Sequence, residues 1–109
     1  MSRAKGNIAE EKAACFLQEQ GYRIVTRNFY SRFGEIDIIA FMDDVLHFVE
    51  VKSGENYELA IQNITPSKLS RIIKTANVYM KKNNYTQSFT FDAIVVTPSE
   101  IEFLKNITL

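Results

Sequence analysis

The sequence predicts an α/β fold in which helices flank a mixed central sheet. Three observations predict it: two helical segments, two apolar runs joined by a short polar turn, and a further apolar run after the second helical segment. The expected order is α-β-β-β-α-β, and a strand that follows a hairpin and a helix indicates a crossover connection. With 109 residues the chain is long enough for one core and too short for two. We therefore expect residues 1–109 to form a single domain.

The first half of the chain is predicted to form one helix and three strands. An apolar stripe favours a helix from about Asn7 to Gln20, and Gly21 is placed to end it. The β-branched and aromatic residues at 22–29 indicate a strand. The runs GEIDIIAF and VLHFVEVK, separated by a short polar turn at residues 42–44, are typical of a β-hairpin.

The second half is predicted to form a loop, a helix and at least one strand. The polar stretch 53–64 is interpreted as a loop. Thr65 and Pro66 are suited to the N-cap and the first position of a helix that continues to about Lys82. The run Ser88–Val96 predicts a strand, and IEFL after it is a candidate for a short final strand.

Composition favours a cytoplasmic globular protein. Hydrophobic residues make up 46% of the chain and charged residues 24%, as in ordinary globular domains. No apolar run approaches the roughly 18 residues of a membrane-spanning helix. The N-terminus lacks the apolar region of a secretion signal, and the single cysteine, Cys15, cannot form an internal disulfide.

Charge is unevenly distributed although the formal net charge is zero. The segment between Leu59 and Phe91 contains five basic residues and no acidic one. These basic residues lie opposite the apolar face of the second long helix and are Lys68, Arg71, Lys74, Lys81 and Lys82. They can follow a phosphate backbone, and Arg32 can extend the same surface. The alternative is an ordinary solvated helix face. Likewise, Phe33 near the start of the hairpin either stacks on a nucleotide base or packs in its turn.

The hairpin places charged side chains on one face of the sheet. A two-residue turn at Asp43 and Asp44 puts Asp37 opposite Glu50, and Glu35 opposite Lys52. The remaining residues of this face are apolar: Ile39, Phe41, Leu46 and Phe48. The other face is predicted to carry Ile36, Ile38, Ala40, His47, Val49 and Val51.

Two directly opposed carboxylates destabilise a sheet unless something neutralises them. Mg²⁺ does so readily, because it binds one or two carboxylates together with waters and a substrate phosphate. Lys52 projects from the same face, where its ammonium can orient an attacking water or stabilise charge on a phosphoryl oxygen. The alternative is that Asp37 lies at a solvated sheet end and Glu50 pairs with Lys52.

Glu10 is a further candidate for this site. It lies at the edge of the buried stripe of the first helix, near the predicted start of that helix. Two interpretations remain open: a favourable position in the helix dipole, or a side chain that reaches the hairpin carboxylates. His47 is predicted to face away from Asp37 and to be structural, and Asp92 in the apolar strand has no assigned role.

These residues resemble a known family. Gly6 and Glu10, Arg27 and Asn28, GEIDIIA, FVEVK, and Phe91 with Asp92 together resemble the YraN family of small bacterial proteins. That family is similar to the restriction-endonuclease-like PD-(D/E)XK superfamily, particularly to archaeal-type Holliday-junction resolvases.

The resemblance implies a restriction-endonuclease-like fold and hydrolysis of phosphodiester bonds. It implies that Asp37, Glu50 and the backbone carbonyl of Val51 bind Mg²⁺, with Mn²⁺ as a substitute, and that Lys52 assists the attacking water. It also implies Glu10 as the first-helix glutamate of such sites. The implied partner is nucleic acid, with DNA expected, and branched or processed DNA is the candidate substrate class. Because enzymes of branched DNA often work as dimers, a homodimer is one expectation for the assembly.

Three hypotheses for the function follow. The first is a metal-dependent endonuclease acting on branched or processed DNA. The second is a nucleic-acid-binding module that has the same fold and does not cleave. The third is a protein-interaction subunit whose carboxylates bind basic groups. Metal dependence distinguishes the first hypothesis from the other two.

Overall fold

Five strands and three helices are present in the part of the chain that the structure describes. The computed structural model describes residues 2–108, with the backbone alone for residues 2–6. The elements in chain order are α1 (Ser2–Glu19), β1 (Arg23–Ser31), β2 (Gly34–Met42), β3 (Val45–Ser53), α2 (Tyr57–Ile61), α3 (Pro66–Lys82), β4 (Phe89–Val96) and β5 (Ile101–Leu104). No helix in this part of the chain has the length and apolar character needed to cross a membrane.

The strands form one mixed sheet in the order β1-β2-β3-β4-β5. Strands β1, β2 and β3 are antiparallel neighbours, β3 and β4 are parallel, and β4 and β5 are antiparallel. The parallel pair requires a crossover, which α3 supplies, so the predicted α/β class with a mixed sheet is confirmed. The short final strand predicted from IEFL is also present as β5.

The two faces of the sheet carry separate apolar cores. Helix α1 covers one face through Ala9, Ala13 and Leu17, which pack with residues such as Ile38 and Val49. The other face is covered by α3, whose residues pack around the fully buried Phe48. Residues of β2 and β3 are therefore buried on both sides, as their long apolar runs predict.

Local signals in the sequence fix several element boundaries. The Thr65 hydroxyl accepts a hydrogen bond from the Lys68 N–H at 3.2 Å, and Pro66 is the first residue of α3. Gly21, two residues after the last residue of α1, has φ +97°, the left-handed conformation that ends many helices. Asp43 and Asp44 have φ of 51° and 65°. A two-residue hairpin turn with positive φ at both positions matches the right-handed twist of the strands.

Two predicted boundaries are wrong. Helix α1 begins at Ser2, before the predicted Asn7, because residues 2–6 contain no proline and one interior glycine costs only about 1 kcal/mol. The predicted loop at 53–64 contains the short helix α2. Asn56 caps this helix by accepting the Leu59 N–H at 2.9 Å, and the buried Ala60 anchors it.

Asp92 and His47 form a buried polar pair on the α1 face of the sheet. Its carboxylate lies 2.6 Å from Nδ1 of His47 and accepts the Asn106 N–H at 2.8 Å. It is 1% exposed, so these contacts replace the water that a carboxylate would otherwise bind. His47 therefore faces away from Glu50, as predicted. The hydrogen bond from the Asn106 N–H to Asp92 holds the segment after β5 against the sheet.

Candidate active site

Strands β2 and β3 separate where the predicted carboxylate pair lies. Their paired residues run from Met42 and Val45 next to the turn to Ile38 and Val49, in the register predicted from the sequence. Beyond that point Oδ2 of Asp37 accepts the Val51 N–H at 2.8 Å. A side-chain oxygen thus takes the place of the backbone carbonyl that a regular ladder would supply.

We call the point beyond Ile38 and Val49, where β2 and β3 no longer pair, the fork. At the fork, Ile36 lies on a different face of the sheet from the one predicted. Ile36 was expected beside Ile38 on one face, but it packs in the α3 core with Phe48, and Ile38 packs in the α1 core. Two residues that are two positions apart share a face in a regular strand. Their opposite placement shows that β2 is irregular at Asp37, and the predicted position of Ile36 is wrong.

Asn28 lies across from this irregular point on β1. Its neighbours Arg27 and Phe29 pair with Ile38 and Ile36, so Asn28 comes opposite Asp37. Its φ is 55°, which is left-handed and unusual within a strand. Asparagine tolerates this conformation better than most residues. The irregular backbone of β1 and that of β2 therefore coincide at the site.

Asp37 and Glu50 come together although they lie beyond the regular ladder. A hydrogen bond joins their carboxyl groups. Asp37 is 8% exposed and the Glu50 side chain 12%. Burial, the hydrogen bond to Glu50, the charge of Glu50 and that of Glu10 raise the pKa of Asp37 to about 9, although the Val51 N–H acts in the opposite direction. A carboxyl group with this pKa keeps its proton at neutral pH.

Lys52 lies beside the carboxylate pair. Its Nζ is 3.1 Å from Oε2 of Glu50, and its side chain is 22% exposed. The β2–β3 ladder ends at Ile38 and Val49, so the predicted pairs of Asp37 with Glu50 and of Glu35 with Lys52 are not part of it. Glu35 pairs with Tyr30 on β1 and accepts a hydrogen bond from Asn28. The solvated sheet end proposed as an alternative for Asp37 is also wrong, since that residue is buried. The Glu50 and Lys52 contact of that same alternative is present.

Glu10 is directed toward the site by Asn28. The Asn28 side-chain amide donates to Oε1 of Glu10 at 3.0 Å and to Oε2 of Glu35 at 2.9 Å. Because α1 begins at Ser2, Glu10 lies beyond the first turn, where the helix dipole acts weakly. Of the two interpretations, the structure therefore favours the one in which Glu10 reaches toward the hairpin carboxylates.

The residues of the fork suit a hard divalent cation that keeps part of its hydration. Within residues 7–108, no three His, Cys, Asp or Glu side chains are grouped so as to hold a metal ion. Mg²⁺ does not need such a group, since two carboxylates suffice when waters and a phosphate complete its shell. The N–H and C=O of one strand residue point the same way, so the Val51 carbonyl also faces the fork. A cation there would replace the proton that Asp37 and Glu50 share.

The predicted basic residues lie on α3 and beside it. Four are exposed on α3, namely Arg71, Lys74, Lys81 and Lys82, and Lys68 is half-buried near its start. Arg32 lies in the turn between β1 and β2, and both its guanidinium and the Lys74 ammonium lie over the ring of Phe33, at 4.8 and 5.7 Å from the centroid. Arg32 thus joins the helix surface as predicted.

Asn28 and Glu35 are site residues to which sequence reasoning gave no role at the carboxylates. The available signal was an asparagine within an otherwise β-branched and aromatic strand, because asparagine is disfavoured in strands and enriched at positive φ. Nothing in the sequence indicates that its amide donates to two glutamates from different elements.

Substitution of Asn28 tests whether its backbone conformation is required. Asn28→Gly and Asn28→Ala both remove the amide that holds Glu10 and Glu35, but glycine accepts a positive φ and alanine does not. We expect both variants to be less stable than wild type, and Asn28→Ala to be less stable than Asn28→Gly by about 1 kcal/mol. Urea unfolding measures the difference. Equal stability of the two variants would contradict the assigned conformation.

Comparison with known proteins gives the family. The model of the family described as "Uncharacterised protein family UPF0102" matches residues 9–96. The chain belongs to the UPF0102 family. The matched segment of this YraN-type family includes Glu10 and Lys52, and therefore every candidate residue of the carboxylate site.

Individual UPF0102 proteins match over essentially their whole length. A UPF0102 protein of Sulfurimonas denitrificans is 64% identical over 109 residues, covering 100% of both chains. One from Wolinella succinogenes is 61% identical, again over 100% of both chains. A Helicobacter pylori UPF0102 protein is 52% identical over 106 residues, covering 97% of this chain and 92% of its own.

Proposed function

We propose that this chain is a Mg²⁺-dependent endonuclease that hydrolyses phosphodiester bonds of DNA, with branched or processed DNA as the substrate class. The observation that carries the proposal is the pair of buried, hydrogen-bonded carboxyl groups of Asp37 and Glu50, with the Lys52 ammonium 3.1 Å from Glu50. Two carboxylates at one sheet fork can hold a divalent metal ion that activates a water for phosphodiester hydrolysis, and a neighbouring ammonium can stabilise charge on the phosphoryl oxygens.

Each residue has a distinct role in this proposal. Asp37, Glu50 and the Val51 carbonyl would hold Mg²⁺, with Mn²⁺ as a substitute, and the ion would polarise the phosphate and lower the pKa of a water. Lys52 would orient the attacking water and stabilise the charge that develops on the phosphoryl oxygens. Asn28 would act as a positioning residue, because it holds Glu10 close enough for its charge to influence Asp37.

Further support comes from the fold and the motifs. The α-β-β-β-α-β order and the mixed sheet are those expected from the resemblance to PD-(D/E)XK nucleases. Asp37 and Glu50 occupy the motif positions of that resemblance, and they meet in space. Fold alone does not establish activity, so the proposal depends on the carboxylate pair and its lysine.

Cleavage of a DNA panel tests the proposal. Labelled four-way junction, flap, linear duplex and single-stranded substrates are incubated with the protein in Mg²⁺, in Mn²⁺ and in EDTA. We expect cleavage of at least one branched substrate with either metal, none with EDTA, and none by Glu50→Gln, which keeps the size of the side chain and removes its charge.

The same panel distinguishes the alternatives. Binding of these substrates without cleavage in either metal would favour a non-catalytic nucleic-acid-binding module. No binding at low salt with Mg²⁺ present would favour a protein-interaction subunit. Gel filtration of the protein with and without a junction measures whether the proposed homodimer forms.

A further inference from the structure

A groove lined by basic and aromatic side chains lies beside α3, apart from the carboxylate site. Its volume is about 800 Å³. It extends from the β1–β2 turn along α3 to the loop before β4. Its lining includes Arg32, Phe33, Lys74, Lys81, Tyr85 and Phe89.

The charge of the groove favours an anionic ligand. None of the described residues that line it is acidic, and three of them are cationic: Arg32, Lys74 and Lys81. At the far end of the groove, burial raises the pKa of Tyr85 and the charge of Asp44 raises it further, although a backbone hydrogen bond acts in the opposite direction. An extended polyanion would therefore be favoured along most of the groove and least favoured at that end.

The aromatic side chains of the groove favour a polyanion that carries flat rings. Phe89 is 47% exposed, which is unusual for a phenylalanine. Its ring makes edge-to-face contacts with Phe48 and Phe91, at centroid separations of 6.4 and 5.8 Å. A ring held in this way loses little freedom when a base stacks on it. At the other end, Phe33 with the guanidinium of Arg32 provides a second flat surface.

Stacking requires bases that are not already stacked in a duplex. Exposed aromatic rings beside a line of cations are typical of proteins that bind single strands, whereas duplex binding depends on phosphate contacts and groove readout. We propose that this groove binds an unpaired nucleic-acid strand, with Lys74, Lys81 and Arg32 on phosphates and Phe89 under a base. The proposal rests on the proposed function in that it makes nucleic acid the substrate, and it names the unpaired strand of a branched DNA as the part recognised.

The groove is positioned to deliver a strand toward the carboxylates. Its Phe33 end lies in the turn that leads into β2, and Asp37 follows four residues later. At ~3.3 Å per residue, this distance is about 13 Å along the strand. A strand bound in the groove would thus leave it close to Asp37, which agrees with cleavage near the junction of paired and unpaired DNA.

Binding of a labelled thymidine homopolymer in EDTA tests the proposal without any metal or cleavage. Fluorescence anisotropy is measured over a range of salt concentrations for wild type and for the double variant Lys74→Ala with Lys81→Ala. The matched control is Lys12→Ala with Lys105→Ala, which removes the same charge from exposed positions on the α1 side. Lys105 is a close match for Lys74, because its Nζ also lies over a phenylalanine ring, 5.5 Å from the Phe103 centroid.

We expect the groove variant to reduce the slope of log affinity against log salt by about 1.4, from about 0.7 per lost phosphate contact on a single strand. The control variant should leave the slope unchanged. Phe89→Leu, which keeps apolar packing against Phe48 and Phe91, should weaken binding about fivefold or more, and duplex of the same length should be insensitive to it.

Several results would overturn the proposal. One is an equal loss of slope in the groove and control variants, which would indicate that binding depends on the overall positive charge and not on the groove. Others are equal loss for duplex and single strand, displacement by polyglutamate as efficient as by polyuridylate, and no binding at low salt. A failure here would leave metal binding and cleavage at Asp37 unaffected, and a failure of cleavage would leave this binding assay valid.

Discussion

The free energy of unfolding is expected to fall as the pH rises from about 5 to about 8. The cause is the Asp37 carboxyl group, whose pKa is raised from 3.8 to about 9, first by burial and then by its hydrogen bond to Glu50 and the charge of that residue. Because it is 8% exposed, water screens little of this effect. In most proteins buried carboxylates have the opposite effect on the free energy of unfolding. They are paired with cations, so the folded state becomes more stable as the pH rises.

The sign follows from proton counting. Between the two pKa values the folded protein binds this proton and the unfolded chain does not. The stabilisation is complete below the unfolded pKa of Asp37 and is lost as the pH approaches about 9. One extra bound proton changes the free energy of unfolding by at most about 1.4 kcal/mol per pH unit. Urea unfolding at several pH values measures the slope.

Two variants separate this effect from other titrations. Asp37→Asn keeps an oxygen for the Val51 N–H and an N–H donor for Glu50, so it imitates the protonated group and should flatten the pH dependence. Asp43→Asn makes the same chemical change at an exposed turn residue with φ 51°, which asparagine tolerates. It should leave the slope as in wild type. An unchanged slope in Asp37→Asn would contradict the shared proton.

Lys52→Met is expected to lower cleavage by about 10²- to 10³-fold while the affinity for Mn²⁺ is retained. Methionine keeps most of the apolar stem and removes the ammonium that lies 3.1 Å from Oε2 of Glu50. The positive charge of that ammonium repels a metal cation at the carboxylates, so its loss does not weaken metal binding. It does remove the charge proposed to orient the water and stabilise the phosphoryl oxygens.

Comparison of Lys52→Met with Lys12→Met distinguishes this role from a change in overall charge. Lys12 is exposed on α1, so its substitution should leave the cleavage rate within a factor of a few of wild type. Single-turnover cleavage and Mn²⁺ titration of both variants provide the measurements. Loss of metal binding together with cleavage in Lys52→Met would contradict a role restricted to the chemical step.

Much of the site follows from one feature of the sequence. The two-residue turn predicted at Asp43 and Asp44 is present, and it sets the β2–β3 register from Met42 and Val45 to Ile38 and Val49, next to Asp37 and Glu50. The second long helix was similarly predictable, because Thr65 and Pro66 mark its start. These are local interactions between residues close in sequence.

Other parts of the site depend on contacts between distant residues. The fork at Asp37 arises because its side chain binds the Val51 N–H and because Asn28 on a third strand adopts a left-handed conformation. Alternation along β2 cannot indicate this, so Ile36 was assigned to the wrong face. The position of Glu10 likewise depends on the amide of Asn28, which lies 18 residues away in sequence.

Calorimetric titration of Mn²⁺ into wild type and Asp37→Asn near pH 8 tests the central claim most directly, namely that the Asp37 and Glu50 carboxyls form a cation site. We expect wild type to bind Mn²⁺ and to release a proton, detected as a dependence of the heat on the buffer, because the metal replaces the proton that the pair shares. Asp37→Asn should bind no metal at this site. Absence of binding by wild type both without and with DNA, or equal binding by the two proteins, would contradict the claim.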